Sequence, residues 1–222
     1  MKILENQEDD NQWLPISDLM TVLMSVFLII SIIFLIQIKS GANKYFKLKK
    51  EIAIKLEEEF KDKNWDGYEI DKENLSIKFV SPKILFDFEK SEIKPEFKKI
   101  LNDFFPSFIN ILSVESYSSQ IDEIIIEGHT SREKDNRSED ERYFYNLGLS
   151  QERARNVLVY SLSKTLANNP NKKWAREKLT ATGYSFNKLY ITDSVVNNRK
   201  SKRVEFRIKL NADLIIDKIA NQ

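Results

Sequence analysis

The sequence predicts a single N-terminal transmembrane helix followed by a mixed α/β domain built as a two-layer α/β sandwich. Three observations carry that expectation. Residues 13–37 form an apolar run with no charge between Asp18 and Lys39. About 20 residues at ~1.5 Å each span a hydrocarbon core of ~30 Å. After Gly67, helical and extended patterns alternate, as they do when helices are laid on one mixed sheet. Finally, KRVEFRIKL at 202–210 alternates cleanly, with Val204, Phe206, Ile208 and Leu210 on one face of a strand.

Composition removes several function classes. The chain has 222 residues, enough for one span and one compact domain. Its net charge is +1, and no basic, aromatic-interleaved surface stands out, so no nucleic-acid partner is expected. It has no cysteine, which excludes disulfide scaffolds, thiolate zinc sites and cysteine nucleophiles. A single histidine, His129, is too few for a His-rich metal site. Neither a metal nor a cofactor is expected, and no enzymatic activity. The apolar run is too long for a signal-peptide core, and no small-residue cleavage site follows it, so it reads as an anchor. The expected layout is an N-terminal flank at 1–12, the membrane helix at 13–38, a helical linker at 39–65 and the folded domain at 66–222.

Along the chain, Asp18 is the first residue that asks for an explanation. A charged carboxylate deep in a bilayer costs ~2.5–3.5 kcal/mol, less near a helix start, where the dipole offsets part of it. Asp18, Thr21 and Ser25 share one stripe of the helix, and a polar stripe on a spanning helix faces protein or water. Two readings stand: a cap at the membrane surface, with Ser17 or Asp18 as N-cap after Pro15, or a carboxylate that takes and releases a cation as its hydration changes. In the linker, Tyr45, Leu48, Ile52, Leu56 and Phe60 recur every three or four residues. That stripe fits a partner helix or the chain's own domain equally well. Residues 68–70 and 75–80 then read as a hairpin, and 84–88 as a short extended run. A helix is expected from Pro95 to Leu112, bent or broken at Pro106. Residues 121–127 form a buried strand ending at Gly128. Residues 131–144 are too charged for core and read as a loop. Ser150 is expected to cap a helix that runs to Leu166, followed by a turn at 168–171, a short helix at 174–178 and strands at 179–184 and 202–210.

Two separated stretches resemble known families. ISDLMTVLMSVFLI at 16–29 is similar to the membrane helix of the MotB family of stator proteins, with Ile16 and Ser17 in place of its Tyr-Ala. The resemblance implies that Asp18 carries a proton or sodium ion, with Thr21 and Ser25 along the ion path. ILFDFEKSEIKP, EGHT at 127–130, NLGLSQERA at 146–154 and KRVEF at 202–206 resemble the OmpA-like peptidoglycan-binding domain. That resemblance implies that Arg153 grips the free carboxylate of a stem-peptide diamino acid, and a planar guanidinium can do so bidentately. It also implies that His129, Thr130, Tyr145, Asn146 and Leu149 belong to the binding site. On the expected helix start at Ser150, Arg153 lies on a first turn, where backbone donors also favour an anion. Asp87 and Glu89 share a strand face and form the kind of carboxylate pair that glycosidases use. The resemblance places them in a structural strand, and no hydrolysis is expected.

The sequence departs from the family at Ser131, where an aspartate that pairs with the ligand's ammonium is usual, and at Ser201 and Lys202. Glu133, Asp135, Glu139, Asp140 and Glu141 are candidates to replace that aspartate. The short linker and the Tyr-Asn-x-x-Leu-x-x-x-Arg spacing from Tyr145 are most similar to the MotB-like subunits of Zorya anti-phage defence. The resemblance implies a homodimer in the inner membrane, its helices inside a MotA-like (ZorA-like) ring that is expected to be pentameric. Ion flow through Asp18 would turn the ring while the domain holds peptidoglycan. A flagellar-type stator and a passive wall anchor without ion flow are the alternatives. The resemblance puts the N-terminus in the cytoplasm and the domain in the periplasm, whereas Lys39, Lys44, Lys47, Lys49 and Lys50 would by the positive-inside rule hold the domain in the cytoplasm.

Overall fold

The computed structural model describes residues 10–133 and 136–211. Helix α1 runs Asp10–Phe60. Its residues through Tyr45 belong to one compact unit, and Phe46–Asn211 forms the other. Within the first unit, Leu19, Leu23, Phe27, Ile30 and Leu35 are exposed. A helix that is apolar all round and exposed is a membrane span, and among the described residues this is the one helix long and apolar enough to cross a bilayer. Because α1 is already helical from Asp10, neither Ser17 nor Asp18 caps it.

The second unit opens with the end of α1. Ile52, Leu56 and Phe60 are fully buried there. The Phe60 ring meets those of Trp65 and Phe104, at 5.4 and 5.2 Å, and Tyr68 donates its hydroxyl to the Phe60 carbonyl at 2.5 Å. The apolar stripe of the linker therefore packs on the chain's own domain. The chain continues through β1 (Tyr68–Asp71), β2 (Ser76–Phe79), α2 (Pro82–Leu85), α3 (Pro95–Leu112), α4 (Glu115–Ser118), β3 (Ile121–Gly128), α5 (Glu139–Tyr160), α6 (Lys172–Lys178), β4 (Leu179–Gly183), β5 (Ile191–Thr192), β6 (Val195–Val196), α7 (Asn198–Ser201) and β7 (Val204–Leu210). A π-helical turn, Ser161–Thr165, follows α5.

The main sheet has the order β1-β2-β7-β3-β4. Only β3 and β4 pair in parallel; the other neighbours are antiparallel. The period-2 alternation sends Ile77, Phe79, Ile124, Ile126, Phe206 and Ile208 to the helical face. There Phe206 meets Phe104, Phe105 and Phe108 of α3, and Phe79 meets Phe97. Each such buried ring is worth roughly 1.5–3 kcal/mol. One layer of helices on one mixed sheet is the expected sandwich.

Three local expectations change. The run 84–88 is not a strand: α2 makes one helical turn, and only Phe86 bridges, to Ile93. Helix α3 continues through Pro106 without a break. The third change matters most for the site. Helix α5 begins well before Ser150, at Glu139, where Ser138 caps it in a capping box with Glu141. Ser150 is therefore mid-helix, and Arg153 is not on a first turn.

Candidate functional site

Two glycines bring α5 onto the ends of the parallel strands. A Cβ at Gly128 would lie 2.1 Å from the Ser150 carbonyl oxygen, and one at Gly183 would lie 2.3 Å from the Gln151 nitrogen. No side chain fits either gap, so both strand ends can carry only glycine under α5. The seam is then hydrogen-bonded. Ser150 Oγ accepts from the Ser185 N–H at 3.0 Å, and the Ser185 carbonyl accepts from the Thr130 N–H at 2.9 Å. Ser150, expected as a cap, instead ties α5 to the loop that follows β4.

This seam places the next turns of α5 beside the loop after β3. His129, Thr130, Tyr145, Asn146, Leu149 and Arg153 all line one cleft of about 350 Å³. The cleft also takes Phe86, Asp87, Phe88, Glu89, Arg137 and Lys202. The motifs lie far apart in the sequence, and the fold brings them to one place.

Arg153 is half-buried. Its Nε donates to the Lys90 carbonyl at 2.8 Å and its Nη2 to the Asp87 carbonyl at 3.2 Å. Its guanidinium carbon lies 4.8 Å from the centre of the Phe86 ring. Burial pulls its pKa down to about 10, which leaves it a cation at any physiological pH. Among the described residues no carboxylate pairs with it. A desolvated guanidinium held by neutral carbonyls, with a charge not yet compensated, is a receptor for an anion.

His129 is 1% exposed and is stacked on Tyr184 at 5.3 Å. Its Nε2 lies 3.1 Å from Glu127 Oε2. An ionised carboxylate only accepts, so Nε2 carries the proton and Nδ1 is the acceptor. Burial, with the nearby Arg203 charge, holds the His129 pKa below its usual value against the pull of Glu127 and Glu205, and the ring is neutral at pH 7. Nδ1 of His129 and Oγ1 of Thr130 are buried and have no partner among the described residues.

Behind His129, on the sheet face away from the helices, lies a charged cluster that sequence reading misses. Glu127 and Glu205 face each other across β3 and β7, and both are 1% exposed. Like charges in that position repel. Arg207 resolves this by bridging them: Nε to Glu127 Oε1 at 2.8 Å and Nη2 to Glu205 Oε1 at 2.8 Å. Burial pushes the Glu127 carboxyl up, but hydrogen bonds from His129 and Arg207 and the Arg207 charge outweigh that and hold it at about 2. Glu127, His129 and Glu205 are close enough to hold a metal ion. The guanidinium groups of Arg203 and Arg207 already occupy the carboxylate oxygens, so this donor set does not fit one. The alternation of KRVEFRIKL announces the strand, but the pairing of Glu127 with Glu205 exists only once register is known.

The sequence profile of the OmpA family matches residues 85–203. Zorya protein ZorB of Escherichia coli strain Crooks is 38% identical over 234 residues, covering all of this chain and 97% of that protein. The chain belongs to the OmpA family. A solved structure described as a putative MotB-like protein from Desulfovibrio vulgaris has the same fold, with a TM-score of 0.53 at 19% identity, over 76% of this chain and 98% of that one.

This OmpA-family chain has Ser131 beside Thr130, and the candidate acids around it separate sharply. Glu139 pairs with Arg132, and Glu139 and Asp140 line a different depression. Glu141 is committed to the capping box. Asp135 lies outside the described residues. Glu133 lines the cleft but holds Lys202 at 2.7 Å. Asp87 and Glu89, expected on a strand, are instead cleft residues on the turn that Arg153 holds.

On the membrane helix of this OmpA-family chain, Asp18, Thr21 and Ser25 are exposed. Thr21 donates its hydroxyl to the Ser17 carbonyl and Ser25 to the Thr21 carbonyl, each at 2.8 Å. Both hydroxyls thus commit their proton to the helix backbone and keep only lone pairs for anything else.

Proposed function

We propose that this chain is the peptidoglycan-anchored, ion-carrying subunit of an inner-membrane motor of the Zorya type. The observation that carries the reading is the full-length similarity to Zorya protein ZorB, which spans both the acidic membrane helix and the cleft. In this reading Arg153 takes the free carboxylate of a peptidoglycan stem peptide, with His129, Thr130, Tyr145, Asn146 and Leu149 around the peptide. Asp18 carries a proton or sodium ion, with Thr21 and Ser25 along its path. The N-terminus is cytoplasmic and the domain periplasmic. Two copies of the chain stand inside a pentameric ring of MotA-like, ZorA-like subunits, and ion flow turns that ring about the anchored dimer. The unpaired charge of Arg153 supports the anchor. The acid on an otherwise uncharged span supports the ion path.

The anchor is tested by sedimenting the detergent-solubilised full chain with purified sacculi. Arg153→Ala is expected to abolish co-sedimentation, because the substitution removes the half-buried guanidinium that no carboxylate of the described residues neutralises. Unchanged co-sedimentation would place wall binding elsewhere. A role in motility in place of defence would appear as loss of swimming, with phage resistance intact, when the gene is deleted.

A further inference from the structure

The lysine run that follows the span has no part in the cleft or in the ion path. Residues 39–50 hold five lysines and no acid, and no acid stands anywhere between Asp18 and Glu51. The next ten residues reverse this, since 51–60 hold four glutamates and one lysine. A helix face that meets only water mixes the two signs, as Lys55 and Glu58 do at 3.0 Å. In the run itself, sign sorts with distance from the bilayer. A negative surface imposes that pattern on a helix standing on it.

Helix α1 passes through the run without a break. Lys39, Lys44, Lys47 and Lys50 are exposed, and at about 100° per residue they fall within an arc of about 140°. The buried Leu48, Ile52 and Leu56 lie on the other side of the helix. The nearest acid, Glu51, is 3.9 Å from Lys47, with side chains 48% and 80% exposed, and so open a pair contributes little. Among the described residues Lys39, Lys44 and Lys50 have no ion-pair partner. Lys39 is the first charge after the apolar run, so it stands where hydrocarbon gives way to headgroups, a layer of ~5–8 Å. Lys44 lies ~7.5 Å farther along the helix, Lys47 ~12 Å and Lys50 ~16 Å. Side chains on a helix lean toward its N-terminus, which here is back toward the bilayer. The four ammonium groups therefore stand in the headgroup layer or within about a Debye length of it, ~8–10 Å.

We propose that Lys39, Lys44, Lys47 and Lys50 bind the phosphates of anionic phospholipid headgroups in the leaflet where α1 leaves the bilayer, and that this contact sets the depth of the span. Asp18 precedes Lys39 by ~32 Å along the helix, about one hydrocarbon thickness. Holding Lys39 among the headgroups on one side thus holds Asp18 at the hydrocarbon edge on the other. The lipid contact needs only the span and stands whichever way the domain faces; its consequence at Asp18 rests on the ion-carrier reading.

The chain has no cysteine, so a single introduced one takes a probe at one place. For the test, the full chain with Asn43→Cys, an exposed position, carries a donor dye in phosphatidylcholine nanodiscs. These hold a trace of acceptor-labelled phosphatidylglycerol or of acceptor-labelled phosphatidylcholine, and energy transfer reads which lipid gathers at the run. At low salt phosphatidylglycerol is expected to be enriched about fivefold, the effect of one lysine near a charged surface. Enrichment should vanish when Lys39→Gln, Lys44→Gln, Lys47→Gln and Lys50→Gln are combined, and persist when the same four are changed to arginine. Equal transfer from both lipids in the unaltered chain would overturn the proposal, and is the result expected if the lysines act only as a topological signal or meet an acidic face of another subunit. Enrichment that survives the four glutamine changes would overturn it too. Depth is read with a spin label at Met20→Cys, 62% exposed, in nanodiscs of phosphatidylglycerol. The glutamine changes should alter the label's access to oxygen relative to a water-soluble nickel chelate, and an unchanged ratio would overturn the depth setting. Asp18→Asn should leave the lipid enrichment intact, so failure of the ion path and failure of the lipid contact are told apart.

Discussion

At the residue scale, the buried pair Glu127 and Glu205 shows how the sheet tolerates charge where apolar side chains would be ordinary. Two carboxylates in direct cross-strand register are bridged by Arg207, which donates to both, with His129 beside Glu127 and Arg203 on Glu205. Removing one partner from such a cluster leaves charge without compensation, which costs about 3–5 kcal/mol. Arg207→Ala should therefore lower the unfolding free energy at pH 7 by about that amount, measured by denaturant titration of the solubilised chain. The pH dependence comes from the sign of the shift. The Glu127 carboxyl is held at about 2 against an ordinary 4.5. A depressed carboxyl contributes stability that is present above the unfolded value and lost as pH falls through the folded one. Arg207 supplies much of that depression, so the gap between the unaltered chain and Arg207→Ala should narrow below pH 4.5 and be smallest near pH 2. A gap that stays constant with pH would mean that Arg207 acts by packing alone.

At the element scale, the site depends on how closely α5 approaches β3 and β4. Gly128→Ala would drive a methyl group against the Ser150 carbonyl, 2.1 Å away. Backbone on both sides cannot yield as a flexible side chain would, and overpacking of this kind costs about 1–3 kcal/mol. The expected outcome is a lower melting temperature together with weaker binding to sacculi, since α5 carries Tyr145, Asn146, Leu149 and Arg153. Normal melting and binding would show that the seam can open freely. Much at this scale is legible in the sequence. Clean alternation marks β7, and the linker stripe is apolar at helical spacing. The sequence does not say what that stripe packs on, because a narrow stripe suits either partner. The start of α5 is also written in the chain, as Ser138 followed three residues later by Glu141. The density of charge around them makes the segment read as a loop, and that reading moves the helix start to Ser150. The misplacement of Asp87 and Glu89 on a strand has a different cause. A strand pattern and a turn held by a distant arginine look alike until Arg153 is placed.

At the scale of the whole molecule, the sequence divides its work between a span that tolerates one acid and a domain that can hold a fixed ligand. Anchoring by itself needs only an apolar helix, and for that purpose Asp18 is a liability of ~2.5–3.5 kcal/mol at the centre of a bilayer, smaller toward its edge. Energy coupling is the use that would offset it. One charge moved through 100 mV is worth ~2.3 kcal/mol, and a carboxyl can take up its cation in one hydration state and release it in another. Asp18→Asn keeps size and hydrogen bonding and removes the exchangeable charge. If Asp18 is the carrier, cells expressing Asp18→Asn with the partner subunits should lose phage resistance completely, while membrane level and co-sedimentation with sacculi stay unchanged. Resistance that survives the substitution would leave the chain an anchor without an ion path. The outward placement of the domain is read in the same cells, because protease added to spheroplasts should digest Phe46–Asn211, and protection would reverse the orientation. The lysines from Lys39 to Lys50 favour the cytoplasm by charge bias, but a domain that binds the wall has its ligand only on the other side, so digestion is the expected result.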